Sequence, residues 1–295
     1  MNILLTNHGL LGPGGTEKWT YYTARELSRI GHDVEVFTFR DGLAGTALKE
    51  FCKVTTETPT GDYDVIYSNH NTCLSQVQAL GPPVIHTCHG PSNRLEVPVL
   101  GAWRYVGVSE EVVEGAMDHG IPMRLITNGV DLEEFCPQET PSGPPRVLSM
   151  CKSVATSWML QDACAELGWP YDWVHYTTKP RWEIATLMKE ADIIVGCGRT
   201  AIEGLACGKE VLVFDGRTDE PMADGWVTEE NVELLRRKNF SCRTNEYWWN
   251  VPSLTRTLQQ YEPGNWSRAW AKENADISLK AQEYMKLYEE FTIGC

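Results

Sequence analysis

A chain of 295 residues, 42% apolar and 22% charged, has material for one large or two modest domains with real cores. Its formal charge of −14 argues against a generally basic nucleic-acid binder, although a local basic patch can sit inside that balance. No apolar run approaches the ~20 residues of a membrane helix, and residues 1–6 read straight into a strand with no signal peptide, so a cytoplasmic protein is expected.

Residues 3–6 read as a strand, 8–15 as a glycine-rich loop and 34–39 as a second strand. Between them, Trp19, Tyr22, Ala24 and Leu27 give residues 16–30 helical spacing, with Gly31 as cap. Buried strands follow at 64–68 and 83–87, around a helix at 72–80. The D-x-D at 62–64 precedes a strand and reads as a turn rather than a metal site. His86 and His89 fall at the C-terminal end of a strand, where open α/β sheets bind ligands; with no carboxylate nearby in sequence they make a weak metal site. A strand at 105–109 and a helix at 110–119 are followed by the phrase LITNGVD at 125–131. Residues 137–145, PQETPSGPP, read as a linker.

A second α/β alternation begins at 146–150, with strands at 173–177 and 193–195 and helices at 158–167 and 181–191. Residues 191–215, ADIIVGCGRTAIEGLACGKEVLVFD, spell strand, glycine turn, helix and strand. Gly196 and Gly198 permit a tight turn. The helix N-terminus behind them concentrates unpaired N–H groups and partial positive charge, which suits a phosphate. Arg199 and Thr200 would add a cation and a hydroxyl there, and Glu203 a carboxylate for a ribose. After Asp215 a loop is expected to lead into a helix at 228–238, and Arg236, Arg237, Lys238 and Arg243 read as a solvated face. Trp266, Trp270, Ile277, Ala281, Tyr284, Tyr288 and Phe291 form one apolar stripe on a long C-terminal helix. The ten cysteines include no C-x2-C pair and read as buried thiols in a reducing compartment; the eleven tryptophans read as core and interdomain packing.

Several phrases resemble retaining family-4 glycosyltransferases of the GT-B fold. GxG, Glu203 and LACGK at 205–209 resemble their donor segment, which usually carries E-x7-E; the second Glu matches Glu203, while Val195 stands at the first. Gly14-Gly15-Thr16-Glu17 is similar to their GGxE loop, and ITNGVD to their PNGVD phrase with Asn128 inside it. Their G-R-x4-K matches Lys152 at the Arg position but has Ser157 at the Lys position, and Arg199 is expected to replace the missing cation.

The resemblance implies an α/β GT-B protein with two Rossmann-like domains facing across a cleft and a C-terminal helix crossing back to the first. The bounds read as 1–137 for the acceptor side, 146–270 for the nucleotide-sugar side and 271–295 for the crossover helix. It implies retaining, metal-independent transfer from a UDP- or GDP-type sugar, with no cofactor besides that substrate. The expected catalytic residues are His89, Lys152 and Arg199. Gly14, Gly15, Gly198, Thr200 and Glu203 would bind donor phosphates and ribose, with Glu17 and Asn128 on the acceptor side. The acceptor reads as a saccharide or glycoconjugate, with a hydroxymethylated DNA base also open. A non-catalytic nucleotide-sugar-binding protein, favoured by Val195, and a nucleotide-sugar epimerase or hydrolase are the alternatives. Stable membrane insertion is not expected.

Overall fold

The structure is a computed structural model describing residues 1–91, 93–140, 142–216 and 220–294. Positions 141 and 217–219, which the sequence reading puts in the linker and in the loop after Asp215, lie outside the described residues, as do 92 and 295. The chain divides into two compact units, Met1–Gly129 with Ile277–Cys295, and Val130–Asp276. The sequence boundaries at 137, 146 and 270 thus differ from the observed divisions at 129/130 and 276/277.

The first unit carries strands β1 (Asn2–Asn7), β2 (Asp33–Thr38), β3 (Lys53–Thr55), β4 (Val65–Asn69), β5 (Val84–Cys88), β6 (Arg104–Gly107) and β7 (Arg124–Leu125). They form one sheet, ordered β3-β2-β1-β4-β5-β6-β7, with every pairing parallel. β4 and β5 are buried at every residue, as expected of strands covered on both faces. Helices α1 (Gly15–Arg29), α2 (Leu43–Leu48), α3 (Asn71–Val77) and α4 (Glu110–Met117) connect the strands. α4 starts at Ser109, whose hydroxyl accepts the Val112 N–H, with Glu110 and Glu111 in its first turn.

The second unit carries β8 (Val147–Ser149), β9 (Tyr171–Trp173), β10 (Ile193–Val195), β11 (Glu210–Asp215), β12 (Met222–Trp226) and β13 (Tyr247–Trp248). Their order is β13-β12-β11-β10-β8-β9, parallel from β11 to β9 and antiparallel at β12 and β13. Its helices are α5 (Val154–Leu167), α6 (Ala185–Glu190), α7 (Arg199–Ala206), α8 (Val232–Arg237), α9 (Val251–Leu258) and α10 (Ser267–Asn274). Gly204 seats α7 on the sheet, since a Cβ there would meet Ile194 Cβ and Val211 Cγ2 at 3.0 Å each.

Four expectations need correcting. The strand read at 173–177 ends at Trp173, and the chain then folds back through a His175–Lys179 bridge. The loop read after Asp215 contains β12, whose apolar signal is masked by Gly225 in the left-handed region and by a register shift opposite Val213/Phe214. The helix read at 228–238 starts only at Val232, because the Asn231 side chain accepts the Thr228 N–H and shapes a preceding turn. The long C-terminal helix is two helices. α10 ends at Asn274, Val130 N–H bonds Ala275 O at 2.7 Å, and α11 (Ile277–Gly294) starts afresh.

That break divides the apolar stripe. Trp270 packs edge-on to Phe240 in the second unit, ring centroids 6.1 Å apart. Tyr284 sits in the first unit between Trp19 and Tyr67, its hydroxyl 2.9 Å from Thr87 Oγ1. Gly129 permits the return: a Cβ there would stand 2.8 Å from Ile277 Cα.

Candidate functional site

In an open α/β sheet the crevice lies beyond the strand C-termini where the winding direction reverses. Each unit has one such point, between β1 and β4 in the first and between β8 and β10 in the second.

In the first unit, three strands end alike: Thr6-Asn7-His8, Ser68-Asn69-His70, and Thr87-Cys88-His89. Asn7 and Asn69 both donate to Thr20 Oγ1 of α1, at 2.9 and 3.3 Å. His8 N–H donates to His70 Nδ1 at 3.1 Å, so the proton of His70 sits on Nε2, 3.2 Å from Glu96 Oε1. The other carboxylate oxygen accepts the His89 N–H at 2.7 Å. Burial pushes the Glu96 carboxyl up, but the His70 hydrogen bond and the neighbouring His89 and His70 outweigh it, and its pKa lies below the ordinary value. His89 Nε2 is 2.9 Å from Asn69 Oδ1, and its ring stands edge-on to Trp19 at 5.3 Å. Burial, then His70 and Arg40, lower the pKa of His8, whose Nδ1 is 2.9 Å from Thr72 Oγ1. Burial holds His86 down at about 4, neutral near pH 7. His70 carries this arrangement at φ +66°, a conformation costly for a residue with a Cβ.

Sequence-predicted His89 is therefore the centre of a built network whose other members, His8, Asn69, His70 and Glu96, sequence reasoning missed. The repeated hydroxyl–amide–His ending of β1 and β4 was the available signal. Glu96 had none, lying seven residues beyond His89 in an irregular loop; it is the carboxylate that the sequence reading judged absent. Gly14 precedes α1, Gly15 opens it, and Glu17 folds back over them, since a Cβ on Gly14 would run into the Glu17 carboxylate. Asn128 is buried, after β7.

In the second unit the structure brings together the ends of β8 and β10. Gly196 and Gly198 take φ of +158° and +60°, and α7 follows at once. Thr200 packs its methyl beneath Gly196, where a Cβ would lie 2.8 Å from Thr200 Cγ2. Lys152 is exposed in the loop after β8, whose first residue, Met150, donates its N–H to Val195 O just ahead of this turn. That loop is clamped on both sides. Buried Asp215 accepts the Lys152, Ser153 and Gly216 N–H groups on Oδ1 at 2.9, 3.3 and 2.8 Å. His175 accepts Thr177 and Thr178 N–H groups on Nδ1, which leaves Nε2 to donate to Lys152 O at 2.8 Å. Asp215 and His175 are the residues sequence reasoning missed here.

Two details differ from expectation. The α7 tip is less open in amides than its position suggests: Gly198 N–H bonds Phe240 O at 3.0 Å and Thr200 N–H bonds Cys197 O at 3.3 Å. Arg199 turns along the helix, its Nε and Nη2 3.2 and 3.1 Å from Glu203 Oε1, with both side chains buried. Phosphate cation and ribose acceptor of the sequence reading are thus joined as an i,i+4 pair.

Among the described residues no group of three or more His, Cys, Asp or Glu is arranged to hold a metal ion, and no helix is long and apolar enough to cross a membrane.

No family model matches the sequence, and no curated protein matches it. Solved structures do. A glycosyltransferase from Rickettsia africae ESF-5 superposes with a TM-score of 0.61 at 17% identity, over 98% of each chain. A structure described as a putative UDP-N-acetylglucosamine 2-epimerase from Listeria monocytogenes reaches 0.60 at 10% identity, over 100% of this chain and 97% of that one. An α-glucosyltransferase in complex with UDP and a 13-mer DNA containing an HMU base reaches 0.56 at 12% identity, over 98% and 99%. The two-unit architecture is the GT-B fold, shared by glycosyltransferases and by nucleotide-sugar epimerases.

Proposed function

We propose that this chain is a glycosyltransferase that moves a sugar from a nucleoside diphosphate sugar, UDP- or GDP-linked, to an acceptor hydroxyl with retention of configuration. The carrying observation is the reversal point of the second sheet, where the Gly196–Gly198 turn opens α7 and the neighbouring strand β8 runs into the loop that carries exposed Lys152. Transfer loosens the sugar–phosphate bond and accumulates charge on the departing diphosphate. A fixed cation and a helix N-terminus stabilise that charge most in the transition state. Lys152 supplies the cation on a loop that Asp215 and His175 hold still. Arg199 and Glu203 act as a pair that sets the helix tip, with Thr200 packed under the turn.

The first unit supplies the acceptor side, through His89, Glu17, Asn128 and the Gly14-Gly15 loop. The reaction asks for neither a metal nor a second cofactor: the leaving phosphate takes the acceptor proton. A saccharide or glycoconjugate hydroxyl is the expected acceptor, and a hydroxymethylated base in DNA is the other acceptor class to assay. Epimerisation is the second reading, favoured by the buried carboxylate Glu96 in the first unit. Both oxygens of Glu96 are committed, to His70 Nε2–H and His89 N–H, which supports transfer over chemistry at Glu96.

A thermal-shift panel of UDP, GDP, ADP and their sugars tests the proposal. One nucleoside diphosphate family should raise the unfolding temperature, and its sugar should release free diphosphate only when acceptor pools are added. Release of an epimerised sugar without acceptor favours the second reading; no stabilisation by any of the panel ends both.

A further inference from the structure

Cys197, the middle residue of the glycine turn, has its Sγ 3.0 Å from Cys242 Sγ, and both are buried. A disulfide needs about 2.05 Å, so roughly 1 Å of closure separates the thiols from a bond. The segment carrying Cys242 holds costly backbone conformations. Asn239, Phe240, Cys242 and Glu246 all take φ between +49° and +64°, four of the five non-glycine residues in that region among the described residues. The same segment leaves Ser241 Oγ and Thr244 Oγ1 buried without hydrogen bonds, beside Asp224, whose Oδ2 is equally unmatched. Phe240 O meanwhile holds the Gly198 N–H, so the segment grips the glycine turn by backbone as well as by sulfur.

We infer that Cys197 and Cys242 form an oxidant-modification site, a dithiol that a small peroxide converts reversibly to a disulfide locking the glycine turn to the 239–246 segment. Cys197, just ahead of the α7 N-terminus, supplies the attacking sulfur, its proton passing to the departing hydroxide. It displaces hydroxide from hydrogen peroxide and becomes a sulfenic acid. The Cys242 thiol then attacks that sulfur, the S–S bond forms, and the sulfenic oxygen leaves as hydroxide, taking up the thiol proton. In sum, two thiols and one peroxide give one disulfide and two waters: the sulfurs lose two electrons and the broken O–O bond gains them. The hydrogen bond between the two sulfurs, and then burial, raise the Cys242 pKa, which keeps its proton in place until that second step. The inference stands on this geometry and not on the proposed function.

Trypsin separates the pair cleanly, Cys197 in residues 190–199 and Cys242 in 239–243, with one cysteine in each. The reduced full chain is treated with stoichiometric hydrogen peroxide, alkylated with N-ethylmaleimide and digested. A linked peptide two hydrogens lighter than the sum is expected, with both alkylations lost in step and restored by a phosphine reductant. Hydrogen exchange over residues 196–206 should slow severalfold in the oxidised form. Independent oxidation of the two cysteines, linkage of Cys197 to Cys151, or unchanged exchange overturns the inference. In Cys242→Ser, Cys197 should stop at a dimedone-reactive sulfenic acid; an unmodified Cys197 counts against the mechanism, and the wild-type mass decides alone if the variant does not fold. UDP binding by the reduced sample reports separately on the nucleotide site, and its absence leaves the linked mass standing.

Discussion

At the scale of single residues, the buried charges and imidazoles decide most. Arg199 and Glu203 pair with side chains only 9% and 3% exposed. Removing the cation alone takes the charged partner from a buried carboxylate, which costs about 3–5 kcal/mol. Arg199→Met should therefore lower the urea midpoint strongly, while Arg199→Met with Glu203→Leu should recover most of the loss. Equal midpoints for the single and double variants would contradict the pairing. His86 gives a pH test. Its pKa is 6.5 in an ordinary environment and about 4 here. Between those values the unfolded chain binds the proton and the folded one does not, so stability rises with pH across that window. The full loss on acidification is about 3 kcal/mol. Glu96, held below the ordinary carboxylate range, adds its own loss only at lower pH. Urea midpoints of the wild type should fall between pH 7 and pH 5, and those of His86→Gln should fall less; parallel curves would remove His86 from the explanation.

At the scale of elements, Arg268 of α10 shows what periodicity cannot see. Its guanidinium donates to Ala206 O at the end of α7 and to Leu132 O and Phe135 O, at 2.6, 2.9 and 2.6 Å. Arg268→Met leaves three carbonyls without a charged donor, and a loss of about 2–4 kcal/mol is expected in urea unfolding. A change under about 0.5 kcal/mol, the ordinary range for surface substitutions, would show that water replaces the guanidinium. The parallel strands and the glycine turn were legible because buried runs such as Ile193-Ile194-Val195 and the glycines at 196 and 198 declare themselves locally. β12 was not, because its twist and bulge are set by its antiparallel partner. The α10–α11 break was not, because Trp270 and Tyr284 keep helical spacing across Asp276 while packing in different units. Glu96, Asp215 and His175 reach their partners across loops, and spacing along one chain carries no trace of that.

At the scale of the whole molecule, the GT-B fold gives each unit a winding reversal, and both reversals are furnished with polar side chains. The first unit has four histidines and a carboxylate there. The second has a lysine on a doubly clamped loop beside a glycine turn. Calorimetric titration of UDP and GDP into the wild type, Lys152→Gln and Lys286→Gln tests that assignment most directly, both lysines being exposed. The expected result is binding by the wild type and by Lys286→Gln, with affinity at least tenfold lower in Lys152→Gln, about 1.4 kcal/mol. Equal affinity in all three, or no heat with either nucleotide, would contradict a diphosphate site at the end of β8 and β10.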